Sequence, residues 1–409
     1  MSFFQFFVWG AWLITIANYW FETKQWGGAE FGAIFSTLGL ASIFMPALTG
    51  IIADRWMNAE KLYGILHILG GISLAYLPQV NDSTTFFWVM FVAMIFYMPT
   101  ISLSNSIAYN ILKNSAYDVV KVFPPIRVWG TVGFIVAMWI TNLSDNKASA
   151  NQFYIAAIAA VALGIYSFSL PKCPPQRLTK KDDSVMESLG LDAFKLFADY
   201  KMALFFIFSM FLGGALQLTN MYGDVYLSDF GKIPEYKDSF VVEYSTIIMS
   251  ISQISETLFI LAIPFFLKRF GIKMVMLFSM LAWVLRFGFF AYGDPHEGLW
   301  MIIVSCIVYG MAFDFFNISG SLFVETTTDS KIRSSAQGLF MMMTNGFGAV
   351  LGSFISGYVI ATYFTTADGT KDWQNVWLSF AGYALIVAIA FAFLFKHKHN
   401  PKEVENVIH

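Results

Sequence analysis

Charge is what this sequence has least of. Only 13% of its 409 residues are Asp, Glu, Lys or Arg, about half the share of a soluble domain. So few charges cannot cover a water-exposed surface of this size, which excludes an ordinary soluble globular protein. A basic excess is missing too. The net charge of −2 removes the electrostatic basis for nucleic-acid binding. The two cysteines, Cys173 in a loop and Cys306 in an apolar run, make no disulfide framework and no metal-ligand spacing. There is no Gly-rich phosphate loop, no His-Glu-x-x-His and no nucleophile elbow. Enzyme chemistry, a cofactor and a metal are therefore not expected. The apolar start, Phe3 to Phe21, lacks both a basic leader and a small-residue cleavage site. It reads as a first spanning helix rather than a cleaved signal.

What is present is apolar surface. Hydrophobic residues make up 57% of the chain, with 44 Phe and 12 Trp, and mean hydropathy is +0.61. Apolar runs occupy roughly 3–20, 30–52, 62–79, 85–108, 125–143, 151–170, 201–223, 241–266, 272–292, 298–324, 336–364 and 374–395. A helix of about 20 residues crosses a bilayer, and in lipid a single segment satisfies its own backbone only as a helix. The predicted fold is an all-α polytopic membrane protein with twelve transmembrane helices. With the N-terminus placed in the cytoplasm, 19 of the 25 Lys and Arg fall in cytoplasmic segments, five in outside loops, and Arg286 inside a span. That asymmetry predicts two cytoplasmic termini. The longest connection carries Pro171, Pro174 and Pro175, a basic patch and an amphipathic stretch. It divides six spans from six: a six-helix half over 1–170, a cytoplasmic loop over 171–200, a second half over 201–396 and a tail over 397–409. Parallel halves of this kind place a substrate site between them near the midplane.

The few polar residues inside spans mark the candidate site. In Ser250-Ile-Ser-Gln-Ile-Ser-Glu-Thr257, Gln253 and Glu256 are three apart and share a helix face. A carboxylate at that depth costs roughly 2.5–3.5 kcal/mol on insertion scales, so it needs a partner, a cavity or a proton. Gln217 and Asn220 share a face of the seventh span. Amides offer donors and acceptors together, which suits a neutral, polyhydroxylated or heterocyclic solute better than an ion. Asp314 is the only charge between Gly298 and Val324, and Arg286 in the ninth span is expected to be a charge partner. Tyr309 and Phe313, four apart, can form one stacking wall. Behind the prolines of the fifth span, Arg127, Thr131 and Phe134 align at i, i+4 and i+7. His67 is expected to be a hydrogen-bonded contact between helices. The turn Gly50-Ile-Ile-Ala-Asp-Arg55 follows the second span.

That turn resembles the Gly-x-x-x-Asp-Arg-x-Gly loop of the major facilitator superfamily, and the resemblance implies a conformational latch carried by Asp54 and Arg55. Met57 replaces the second glycine, and Pro264 and Lys268 stand where the second half would carry Gly and Asp. The stretches Phe123–Phe134, Leu189–Phe197, Leu216–Tyr222, Ile247–Phe266, Tyr309–Gly320 and Ser335–Gly346 are similar to the nucleoside:proton symporters of that superfamily, and the similarity runs through nearly the whole chain. The resemblance implies uptake of purine and pyrimidine nucleosides driven by the proton gradient, by alternating access. It implies that Gln217, Asn220, Gln253 and Glu256 bond ribose and base, that Arg127, Thr131 and Phe134 complete the site, and that Tyr309 and Phe313 give aromatic contacts. Glu256 and Asp314 would couple the proton. A monomer in the cell inner membrane follows by the same analogy. The alternative is a proton symporter for another neutral polar solute, such as a sugar.

Overall fold

The structure, a computed structural model, describes residues 1–117, 119–175, 191–329 and 332–398. Half of the expected central loop, 176–190, and the end of the tail, 399–409, lie outside the described residues. The chain divides into two compact units, Met1–Leu189 and Gly190–His409.

The first unit holds six spans. α1 begins as Ser2–Gly10, loosens, resumes at Ile16–Asn18 and closes in a π-turn at Tyr19–Thr23. α2 is Gly28–Arg55, α3 Ala59–Tyr76, α4 Ser83–Asn114, α5 Val119–Leu143 and α6 Asn151–Ser167. The break in α1 is the one departure from an unbroken first span. Where the helix loosens, Thr15 Oγ1 donates to Gln152 Oε1 of α6 at 3.0 Å. Elsewhere helices outrun their apolar cores by a turn or more, as α4 does beyond 108, because polar residues continue a helix once it leaves hydrocarbon.

A polar knot ties three of these helices. Gln5 of α1 is fully buried. Its Oε1 accepts from Tyr63 OH at 2.6 Å and lies 2.9 Å from His67 Nε2, both on α3. Its Nε2 donates to Thr100 Oγ1 of α4 at 2.8 Å, and its carbonyl accepts from Tyr97 OH at 2.7 Å. His67 is thus the helix contact that the sequence suggested. Replacing Gln5 with Leu removes the shared acceptor and strands two buried groups. Hydrogen bonds inside membrane proteins average only about 0.6 kcal/mol, because the unfolded reference finds partners too. The expected loss is therefore about 1–2 kcal/mol, seen as a lower unfolding temperature in detergent; an unchanged transition would contradict it.

Where α6 gives way to the loop, a buried acid pins the chain. Glu60 Oε2 accepts from the Cys173 backbone N–H at 2.8 Å, Asn58 Nδ2 donates to Glu60 Oε1 at 3.0 Å, and the Ala59 N–H returns a bond to the Cys173 carbonyl at 3.0 Å. Burial, and then the neighbouring Glu60 charge, push the Cys173 thiol up to about 11, so it stays protonated near neutral pH.

The second unit also holds six. α7 is Tyr200–Asp229. A single helical stretch, Ser245–Tyr292, contains α8 and α9, parted at Gly271, whose φ of 77° and ψ of 170° turn the chain back. α10 is Leu299–Thr327. α11 runs Arg333–Met341, passes through a π-helix at Met342–Gly348 and continues as Ala349–Tyr363. α12 is Trp373–Leu394. The described residues therefore carry twelve spans, six in each unit. Near the start of α12, Trp373 Nε1 donates to Asp229 Oδ2 at 2.9 Å, and Asp229 also pairs with Lys232 at 2.8 Å. Tyr226, Phe290, Trp373 and Trp377 pack as one aromatic cluster beside it.

Candidate functional site

Contact between α8 and α10 sets the site of the second unit. Gly310 on α10 lies so close to α8 that a Cβ there would stand 2.6 Å from the Ser255 carbonyl carbon and oxygen and 2.7 Å from the Glu256 nitrogen. Two hydroxyls staple the helices at this level: Ser255 Oγ donates to the Ile307 carbonyl, and Ser279 Oγ of α9 donates to the Ala312 carbonyl. Asp314 is one turn beyond Gly310. The close approach places the Glu256 backbone against Gly310, one turn from Asp314, near enough for the Glu256 charge to reach Asp314.

In the same unit are buried polar atoms that the described residues leave unsatisfied. Asp314 is only 4% exposed and Gln217 only 7%. Asp314 Oδ2, Gln217 Oε1 and Gln253 Oε1 are all buried without a hydrogen-bond partner among the described residues. Buried polar atoms are satisfied in the great majority of cases; His67 Nδ1 and Arg286 Nη2 are further exceptions, and the three here stand out because they are acceptors on the expected ligand residues. Tyr309 and Phe313 stack as the spacing predicts, with ring centroids 6.0 Å apart and planes 10° from parallel. Beside them the unit holds a small, partly open pocket lined by Trp283, Phe313 and Phe316.

Arg286 departs from expectation. Among the described residues it pairs with no carboxylate. Its Nε donates to Thr219 Oγ1 at 3.2 Å, and one terminal nitrogen donates to Ser252 Oγ at 3.3 Å and to the Ser305 carbonyl at 2.7 Å. The guanidinium also lies over the Tyr309 ring at 4.7 Å and the Phe290 ring at 5.0 Å. Its other terminal nitrogen, Nη2, is buried without a hydrogen-bond partner, and no ion pair joins Arg286 to Asp314 among the described residues. Sequence spacing shows the depth of Arg286 but not its rotamer, so the nearest acid looked like its partner.

In the first unit, the Arg127 guanidinium lies 4.0 Å over the Phe6 ring. Phe134 meets Trp9 edge-on at 6.5 Å. Thr131 is half-buried on the same helix. Phe6 and Trp9 are neighbours of this face that sequence reasoning missed, since an aromatic in an apolar run carries no distinguishing signal. The Asp54 side chain lies outside the described residues.

A family model described as "Nucleoside H+ symporter" matches residues 1–400. The chain belongs to this family. Its members here are transporters, not enzymes, and the twelve-helix fold is that of the major facilitator transporters. The chain is 53% identical over 407 residues to the xanthosine permease of Escherichia coli strain K12, covering 99% of this chain and 97% of that protein. It is 52% identical over 400 residues to the nucleoside permease NupG of the same strain, covering 98% and 95%. It superimposes on a crystal structure of the nucleoside transporter NupG with a TM-score of 0.90 at 52% identity, covering 97% of this chain and 98% of that one.

Proposed function

We propose that this nucleoside–proton symporter imports purine and pyrimidine nucleosides across the cell inner membrane by alternating access, as a monomer with both termini in the cytoplasm. Gln217, Asn220, Gln253 and Glu256 bond the neutral substrate, Tyr309 and Phe313 give it an aromatic face, and Arg127, Thr131 and Phe134 share in binding from the first unit. Glu256 and Asp314 carry the transported proton. Two carboxylates that sense each other form one coupled acid–base unit, and a proton there relieves their repulsion. A neutral site closes around an uncharged substrate at lower cost than a charged one. Asp54 and Arg55 serve as the latch of the first half, and the segment 171–200 links the halves 1–170 and 201–396, with 397–409 as the tail.

The observation that supports this reading best is the set of unsatisfied buried atoms, Gln217 Oε1, Gln253 Oε1 and Asp314 Oδ2, gathered in the unit that also holds the stacked Tyr309–Phe313 pair. Uptake of radiolabelled uridine, competed by adenosine and by glucose, tests it. Adenosine should compete and glucose should not; competition by glucose alone would point to a sugar carrier.

A further inference from the structure

The cavity beside the carboxylates has a second pair of amides that the proposed site does not use. Asn317, on α10, is one turn from Asp314 and Phe313, and Asn345 lies in the π-helix of α11; both line the cavity together with Trp283, Phe313 and Phe316. Each is half-buried, and neither side chain is hydrogen-bonded among the described residues. The backbone beside Asn345 is closely packed. A Cβ on Gly213 of α7 would stand 2.0 Å from the Thr344 carbonyl oxygen, so α11 meets α7 backbone to backbone immediately before Asn345. Departures from α-helical winding, such as the π-helix here, are rare and are frequently found at functional sites.

We infer that Asn317 and Asn345 form a base-reading pair, which holds the polar edge of the nucleobase while the aromatic walls of the cavity stack on its face. The chemistry is that of a heterocycle rather than a sugar. A flat ring needs apolar walls, and its edge of alternating carbonyl, N–H and amino groups needs partners that both donate and accept, as an asparagine amide does. Phe313 belongs both to the Tyr309 stack and to this cavity, so the pair adjoins the proposed site and sets which bases it prefers. The inference rests on the nucleoside reading of that site.

The test is a competition panel in whole cells. Asn317→Ala, Asn345→Ala and the conservative Asn345→Ser are compared with the parent protein at matched membrane levels. Nucleosides that differ only in the base (uridine, cytidine, inosine, xanthosine) form one arm; uridine against 2′-deoxyuridine forms the other. A bidentate amide–base contact discriminates by about tenfold or more, so the ranking within the first arm should shift by that factor while the second ratio stays constant, with Asn345→Ser intermediate. An unchanged ranking, or an equal loss for every nucleoside, overturns the inference. If the parent protein imports none of the panel, the nucleoside reading itself fails, which is a separate outcome.

Discussion

Asp314→Asn should exchange nucleoside but no longer accumulate it. Asparagine keeps the size and most of the polarity of aspartate, and no ion pair to Arg286 is lost, because that guanidinium is held by Thr219, Ser252 and the Ser305 carbonyl. What disappears is the ability to take up and release a proton at a site only 4% exposed. At one proton per nucleoside, a gradient of one pH unit sustains about tenfold accumulation. The variant should fall to a ratio of about one while counterflow stays within a few-fold of the parent rate. Glu256→Gln should behave in the same way if the two acids act as one unit. Undiminished accumulation in both variants would remove these residues from coupling.

Gly310→Val should abolish both exchange and accumulation. The added side chain would meet the backbone of Ser255 and Glu256, at 2.6 to 2.7 Å from its first carbon, and backbone cannot swing aside as a side chain can. α8 and α10 must part, the Ser255–Ile307 bond between them is disturbed, and Glu256 moves away from Asp314. A misplacement of about 1 Å can cost 100-fold in a process that depends on geometry, and a loss of that order is expected in initial uptake rates. Gly310→Ala should fall between. Normal membrane levels with normal uptake in Gly310→Val would show that the close approach is incidental.

How much of this was legible in the chain follows from what governs each part. The spans are set by length and hydropathy, and Gln253, Glu256, Gln217 and Asp314 stand out because polarity in a span is rare. The Tyr309–Phe313 stack follows from i, i+4 spacing alone. The rest depends on tertiary contact. Gln5 gives no hint that it serves Tyr63, His67, Thr100 and Tyr97 at once, Glu60 looks like an ordinary first-turn acid rather than the anchor of Cys173, and the Arg286 partners lie on three other helices. Asn317 and Asn345 are ordinary residues in sequence. Only the fold brings them to one cavity.

In this symporter a proton travels with the nucleoside. Purified protein in liposomes, with a pH-sensitive dye inside and no other ion gradient, tests it most directly. Adding uridine outside should acidify the lumen, and dissipating the proton gradient with an ionophore should end accumulation. Uridine accumulation that continues after the proton gradient has collapsed, or that proceeds with no change of internal pH, would contradict it.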